Sequence, residues 1–398
     1  MRTIWVTSVS PCPPTDGNRQ RHLQLLTRLA ADHDVTLVCP VGNGEAAAAQ
    51  SLREVGVEVV AVPDPPPPTG RARRYARRVA TSARRRPDCL VPSAIGAMAE
   101  AVRRAAAQAP FDVAFGHLAA APAVLAAGTA AAVIDDANVE ADAYGLFMAT
   151  EPRRLRRAAR FADWRQVGAW ERRWLRRARA VTVCSAGDAE RLGELVPGLP
   201  DTHLVPNGVD LEAVAFHEGP REPATVLFVG GMAYAPNTDA ALRLARDVMP
   251  RVWRQRPEAR LVLAGKDPPA EVRALAGPRV EVTGEVPSVR PHLDRATLTV
   301  VALRAGGGTR LKILEAMAAG VPVVSTALGA EGLGLADGGD ALIAGSTEEL
   351  ARAATALLDD PARARELARR ARASVEERFG WDRIAPRLES ALETARAG

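Results

Sequence analysis

Short β-branched runs alternate with longer stretches of helical periodicity along almost the whole chain. Residues 3–9, 35–39, 57–62, 111–115, 131–134 and 180–184 are continuous apolar runs of strand length. Between them lie amphipathic stretches such as 19–30, with Leu23, Leu26 and Ala30 on one face. The pattern then restarts, with strands expected at 225–229, 259–264, 280–283, 298–302 and 321–325. Strands that are apolar on both faces and separated by helices predict parallel sheets covered by helices on both sides. The turn-rich, charged segment from Pro206-Asn207-Gly208-Val209-Asp210 to Pro223 separates the two sets. The fold class expected is therefore α/β, with two doubly wound Rossmann-like domains facing a central cleft. Ligands in such sheets bind beyond the carboxyl ends of the strands.

Composition narrows the functional classes. The chain has 398 residues, of which 47% are hydrophobic, 25% charged and 4% aromatic, too apolar for a disordered protein. The net charge of +5 is carried almost wholly by arginine, since Lys266 and Lys312 are the two lysines. An Ala-, Arg- and Pro-rich, Lys-poor chain reflects a GC-rich genome, so no nucleic-acid partner is expected from charge alone. Cys12, Cys39, Cys89 and Cys184 are scattered without a CxxC, which argues against a zinc site and for a reducing compartment. No metal and no cofactor are expected. The N-terminal segment reaches its prolines too early for a signal peptide. The longest apolar run, 118–134, is broken by Pro122 and Gly128 and falls short of the roughly 20 residues that span a bilayer. A soluble, cytoplasmic protein is expected.

The densest chemical signal is RAGGGTRLKILEAMAAGVPVV, residues 304–324. A strand ends near Leu303, glycines follow, and a helix is expected from about Thr309, which would cap it. The free N–H groups and positive dipole end of a helix start suit a phosphate. Arg310 and Lys312 add cations in the first turn, where helix electrostatics disfavours them unless an anion is bound. Glu315, one turn on, suits the vicinal hydroxyls of a ribose.

GGGTRLKILEAMAAGVPVVST, followed by Gly329-Ala-Glu331-Gly-Leu, resembles the donor-site motif of glycosyltransferase family 4, in its GxGxRxKxLEAM branch. Pro206-Asn-Gly-Val-Asp210 resembles that family's interdomain motif, and Phe228-Val-Gly-Gly-Met232 stands where its second domain opens. The resemblance implies a GT-B fold and metal-independent, retaining transfer of a sugar from a nucleoside diphosphate to an acceptor such as a glycan, lipid-linked or secondary-metabolite hydroxyl. It implies an N-terminal acceptor-side domain over 1–210, a nucleotide-sugar domain over 211–380, and a C-terminal helix over 381–398 that crosses back to the first domain. The donor would meet Gly231, Gly307, Gly308, Thr309, Arg310, Lys312 and Glu315, with a main-chain contact to the base near Val286. Two departures stand out. The first of the two glutamates many members carry falls at Gly307, and the Arg and Lys that follow the family's first second-domain strand fall at Gly231 and Asn237, so Arg310 and Lys312 must supply the cations.

In the first domain, His117 closes a strand and matches the family's active-site histidine. Gly17 and Asn18 resemble its glycine loop. Asp136, Asn138 and Glu140 follow another strand and are candidates for orienting acceptor hydroxyls. Two Arg-rich stretches remain, 71–86 and 153–179. In the second, Leu155, Ala159, Ala162, Gln166, Trp170 and Trp174 share a helical face, which predicts packing for the tryptophans. Either stretch is a candidate for peripheral contact with an anionic membrane at its inner face. The rival classes are a GT-B nucleotide-sugar epimerase and a basic nucleic-acid-binding module. A dinucleotide oxidoreductase is disfavoured, because no GxGxxG follows the first strand with an acid about 20 residues on.

Overall fold

The computed structural model describes all residues except 43–45, 65–69, 71–80, 82–84, 150, 152, 307 and 309. They form two compact units, Met1–Pro206 with Ile384–Gly398, and Asn207–Arg383. In the first, seven parallel strands are β1 (Arg2–Val6), β2 (Asp34–Val41), β3 (Glu58–Pro63), β4 (Val113–His117), β5 (Ala132–Asp136), β6 (Ala180–Val183) and β7 (Asp201–Leu204), in the order β3-β2-β1-β4-β5-β6-β7. In the second, six are β8 (Thr225–Val229), β9 (Arg260–Ala264), β10 (Val280–Gly284), β11 (Leu298–Val301), β12 (Val323–Thr326) and β13 (Leu342–Ala344), in the order β10-β9-β8-β11-β12-β13.

The central strands carry the apolar runs because both their faces are covered: Ile4, Trp5 and Val6 of β1, and Val226, Leu227 and Phe228 of β8, are wholly buried. The edge strands β7 and β13 were not expected from the pattern. β7 reads DTHL and none of its residues is buried, and β13 spans three residues. An edge strand with an open side needs no continuous apolar run. The helix Trp381–Ala397 begins in the second unit, and its buried stripe Ile384, Leu388, Ala391, Leu392 and Ala395 belongs to the first. Among the described residues no helix is long and apolar enough to cross a membrane.

One buried ion pair ties the first unit together. Arg21, on the helix Gly17–Asp32, grips Asp135 of β5 through Nε (3.0 Å) and Nη2 (2.8 Å). Arg21 also donates to the Pro206 carbonyl at 3.0 Å, and Thr182 of β6 donates to Asp135 at 2.7 Å. Both side chains are essentially inaccessible, 1% and 0% exposed. Burial alone would push the Asp135 carboxyl up, but the charge and hydrogen bonds of Arg21 overcome it and hold it at about 2. Removing one partner leaves the other charge buried and uncompensated. Asp135→Asn is expected to destabilise the first unit by about 3–5 kcal/mol. Urea unfolding checks this, and a loss under 1 kcal/mol would show that the pair is not structural.

Candidate functional site

Strand order locates the chemistry in each unit. The order reverses between β8 and β11, and between β1 and β4. At such a reversal the crossovers diverge and leave a crevice beyond the carboxyl ends of the two strands. In the second unit Gly230 and Gly231 follow β8, and residues 302–310 follow β11 and lead into the helix Leu311–Ala318.

That helix starts later than the sequence suggested. Thr309 and Gly307 lie outside the described residues, but the N-cap position belongs to Arg310, whose extended backbone (φ −87°, ψ 90°) ends the loop. The Arg310 side chain does not cap the first turn. Arg310 instead turns its buried guanidinium back to the Gly306 carbonyl at 2.6 Å, over a backbone that Gly306 permits with φ +114°. Lys312, in the first turn, places its amine 2.7 Å from Asn237 Oδ1 and 4.4 Å from the centre of the Phe228 ring. The Asn237 amide in turn donates to the Gly231 carbonyl at 3.0 Å. The cation supplied by the Leu311–Ala318 helix therefore reaches Asn237, one of the two positions where the sequence resemblance would have placed a cation. Burial, reinforced by the nearby Arg310 charge, brings the Lys312 amine down to about 7, against an opposing pull from Glu315.

Close approach demands bare backbone here. A Cβ on Gly230 would lie 2.7 Å from Asn237 Nδ2 and 2.9 Å from Lys312 Nζ. Gly308 and Glu315 are half-buried beside this cradle. Val286 is half-buried after β10, the edge strand of the sheet. At the other end of the helix, Arg372 donates to the Ala318 carbonyl at 2.7 Å, and Arg221 to those of Ala319 (2.8 Å) and Gly320 (2.9 Å). These two cations complement the negative end of the helix dipole. Nothing distinguished them in a sequence so rich in arginine.

In the first unit His117 ends β4, buried, with its Nδ1 3.3 Å from both the Ala119 N–H and Ser8 Oγ. The Ala119 amide can only donate, so Nδ1 accepts and the neutral ring carries its proton on Nε2. Burial lowers the His117 pKa. His22, unnoticed in the sequence, meets it edge-on with ring centres 5.8 Å apart, and Trp5 donates to His22 Nδ1 at 3.3 Å. Burial takes His22 down to about 3. Gly17 opens its helix, exposed, behind an Asp16 cap. Asn18 follows with a buried Oδ1 that has no partner among the described residues.

The acceptor-side candidates lie in a cluster of carboxyl groups with raised pKa values. Asp136, at the end of β5, is 1% exposed, and its Oδ2 and Asn138 Oδ1 have no partner among the described residues. Glu171, from the long helix Arg154–Leu175, accepts from the N–H groups of Glu140 (2.8 Å) and Ala141 (3.3 Å), capping the helix Glu140–Ala149. Burial, then mutual repulsion, pushes Asp136 well above the carboxylate range and Glu140 to about 8. Burial also takes Glu171 to about 7 against those two backbone hydrogen bonds. The shared packing face expected on the long helix holds only at its C-terminal end. Trp170 is buried and donates to the Leu118 carbonyl at 3.2 Å, whereas Leu155 (90% exposed), Ala159 and Ala162 face solvent. The stretch 71–86 falls largely outside the described residues.

Residues 20–213 match the family described as Glycosyltransferase Family 4, and residues 223–360 that described as Glycosyl transferases group 1. Both matches are glycosyltransferase families, one over each unit. Among curated relatives, a glycogen synthase of Mycobacterium tuberculosis is 29% identical over 260 residues, 61% of this chain and 62% of the relative. A phosphatidyl-myo-inositol mannosyltransferase of Mycobacterium leprae is 31% identical over 206 residues, 49% of this chain and 54% of the relative. The matched region thus spans under two-thirds of these relatives' own lengths. Among solved structures, a sucrose-phosphate synthase from Thermosynechococcus elongatus superposes with TM-score 0.74 at 18% identity over 100% of both chains. Anabaena HepE, solved with UDP-glucose, gives 0.67 at 14% identity over 99% of this chain and 100% of its own. These likenesses establish the GT-B fold expected from the sequence.

The carboxyl cluster of the first unit has a definite sign of pH dependence. Glu140 and Glu171 bind protons more tightly folded than unfolded, so their contribution is fully present below about pH 4 and is lost as pH rises through 7 and 8. Thermal melts from pH 5 to 8.5 should show Glu140→Gln gaining on the wild type as pH rises. Parallel profiles would refute the shared protonation.

Proposed function

We propose that this chain is a retaining glycosyltransferase that takes a sugar from a nucleoside-diphosphate sugar and passes it to a hydroxyl acceptor. The observation that carries the reading is a pair of cations, buried Arg310 and half-buried Lys312, at a helix start that its own N-cap side chain leaves uncapped, beside the strand-order reversal of the second sheet. A diphosphate suits that cradle in charge and in hydrogen-bond donors. Anabaena HepE, which shares the fold, was solved with UDP and with UDP-glucose.

In this reading the diphosphate lies against the N–H groups of the Leu311 turn, Lys312 and Arg310, and Glu315 takes the ribose hydroxyls. As the bond from the sugar's anomeric carbon to the diphosphate breaks, its electron pair moves onto the diphosphate oxygen. The two cations and the helix end stabilise that charge in a partly dehydrated site. The acceptor hydroxyl forms the new bond to the same carbon, on the face the diphosphate leaves, and its proton passes to the departing diphosphate oxygen. His117, neutral with a proton on Nε2, offers a hydrogen-bond donor to a sugar hydroxyl, and Gly17 and Asn18 flank the first-unit strand ends where Asp136, Asn138 and Glu140 serve the acceptor. No metal is assigned to the reaction, since Arg310 and Lys312 supply the positive charge it needs. The exposed N-terminal half of the long helix presents Arg153, Arg154 and Arg156 with Leu155 and Phe161 (43% exposed), a composition that suits an anionic membrane surface.

Thermal stabilisation by UDP, GDP, TDP and ADP identifies the base, and slow hydrolysis of matching sugar donors the sugar. Arg310→Ala should weaken the preferred diphosphate and lower turnover about a hundred-fold. Unchanged affinity for all four in Arg310→Ala and Glu315→Ala would overturn the site. Epimerisation of free nucleotide sugar without any acceptor would reassign the activity. Binding to phosphatidylglycerol vesicles that Leu155→Asp and Phe161→Asp together fail to weaken would remove this helix from any membrane contact.

A further inference from the structure

The partner of Lys312 is a neutral carboxamide where a carboxylate would neutralise it. Asn237 is held in one orientation. Its Nδ2 donates to the Gly231 carbonyl at 3.0 Å, so its Oδ1 must be the atom that meets the Lys312 amine at 2.7 Å. Its backbone N–H is fixed on the Tyr234 carbonyl at 2.9 Å. Two glycines make the slot. A Cβ on Gly230 would press on both Asn237 and Lys312, and one on Gly265 would lie 1.9 Å from the Gly230 carbonyl oxygen. The Phe228 ring closes the inner side.

Among the described residues, four elements bring groups to the amine. β8 contributes Phe228 and the bare backbone after it. The helix Ala235–Arg243 contributes Asn237, while its Asp239 is taken by Arg304 of the opposite loop in an ion pair of 2.5 Å. That loop also contributes Arg310, which repels the amine, and the Leu311–Ala318 helix contributes Glu315, which attracts it. Burial and Arg310 together outweigh Glu315. An amine so placed loses its proton easily and regains it when an anion arrives, because the anion supplies the compensation the protein withholds.

Resting on the donor site proposed above, we propose that Asn237 is a positioning residue that keeps the Lys312 amine without a neutralising partner, so that binding of a nucleoside-diphosphate sugar draws one proton from solvent onto Lys312. Donor capture is then coupled to pH. The product of the step is an ammonium held between Asn237 Oδ1 and the diphosphate oxygens. A carboxylate at position 237 would hold the ammonium permanently and compete with the diphosphate for it.

Titration calorimetry on the full chain tests this with UDP-glucose, GDP-mannose, ADP-glucose and TDP-glucose, the tightest being carried from pH 6.5 to 9 in two buffers of different ionisation enthalpy. Diphosphate diesters do not titrate in this range, so any proton taken up belongs to the protein. The wild type should take up close to one proton at pH 8, with affinity falling toward about tenfold per pH unit above pH 7.5. Asn237→Asp should take up none, show a flat profile, and bind about tenfold more weakly at pH 6.5. Should that variant fail to fold, Lys312→Arg, which cannot lose its proton, should also give a flat profile. Wild-type binding without proton uptake, or uptake unchanged in Asn237→Asp or Lys312→Arg, overturns the role of Asn237 and leaves the donor site standing. Failure of all four sugars to bind the wild type at any pH overturns the donor site and this inference with it.

Discussion

Reversal of strand order, once in each sheet, is the constraint on which the chemistry of both units depends. Parallel strands require crossovers, and crossovers that diverge from one strand pair leave the carboxyl ends of that pair uncovered. Beyond β8 and β11 the opening receives Gly230, the Arg310 loop and the start of the Leu311–Ala318 helix. Beyond β1 and β4 it receives Ser8 and His117. Polar side chains within these strands must find partners inside the sheet, as buried Thr299 does on the Leu227 carbonyl, whereas at these ends polar groups can face the opening.

The two openings are electrically opposite. The second unit collects cations at the N-terminus of a helix, an arrangement the helix itself resists, and offsets the other end of that helix with Arg221 and Arg372. The first unit collects carboxyl groups at the end of β5, where burial and mutual repulsion favour their protonated forms, while Arg21 and Asp135 beside them neutralise each other. Only the first of these patterns needs an external anion to be compensated. The second is complete once its protons are in place, which is why charge alone points to the donor rather than the acceptor.

Much of this was legible in the sequence, and for physical reasons. Central strands buried on both faces must be continuously apolar, so their runs are conspicuous, whereas β7 and β13 are edges and carry no such requirement. Arg310 and Lys312 stood out because cations at a helix start are out of place, and Lys312 because lysine is so rare here. Glu171, Arg221 and Arg372 did not stand out. Each acts across a long separation in the chain, and each is one charge among many in an arginine-rich background. Asn237 was visible as the position of a missing cation, but only the fold shows that the cation arrives there from another helix. The start of that helix, expected from about Thr309, falls at Leu311 with Arg310 as N-cap, because the extended Arg310 backbone still belongs to the loop.

The central claim is that Lys312 and Arg310 hold the diphosphate of a sugar donor. A crystal structure of the full chain with the tightest-binding nucleotide sugar tests it most directly. The account predicts diphosphate oxygens at about 3 Å from Lys312 Nζ, from the Arg310 guanidinium and from N–H groups of the first helical turn, with Asn237 still on the amine. A diphosphate lying elsewhere, with Arg310 turned onto Gly306 and Lys312 in contact with Asn237 alone, would contradict it.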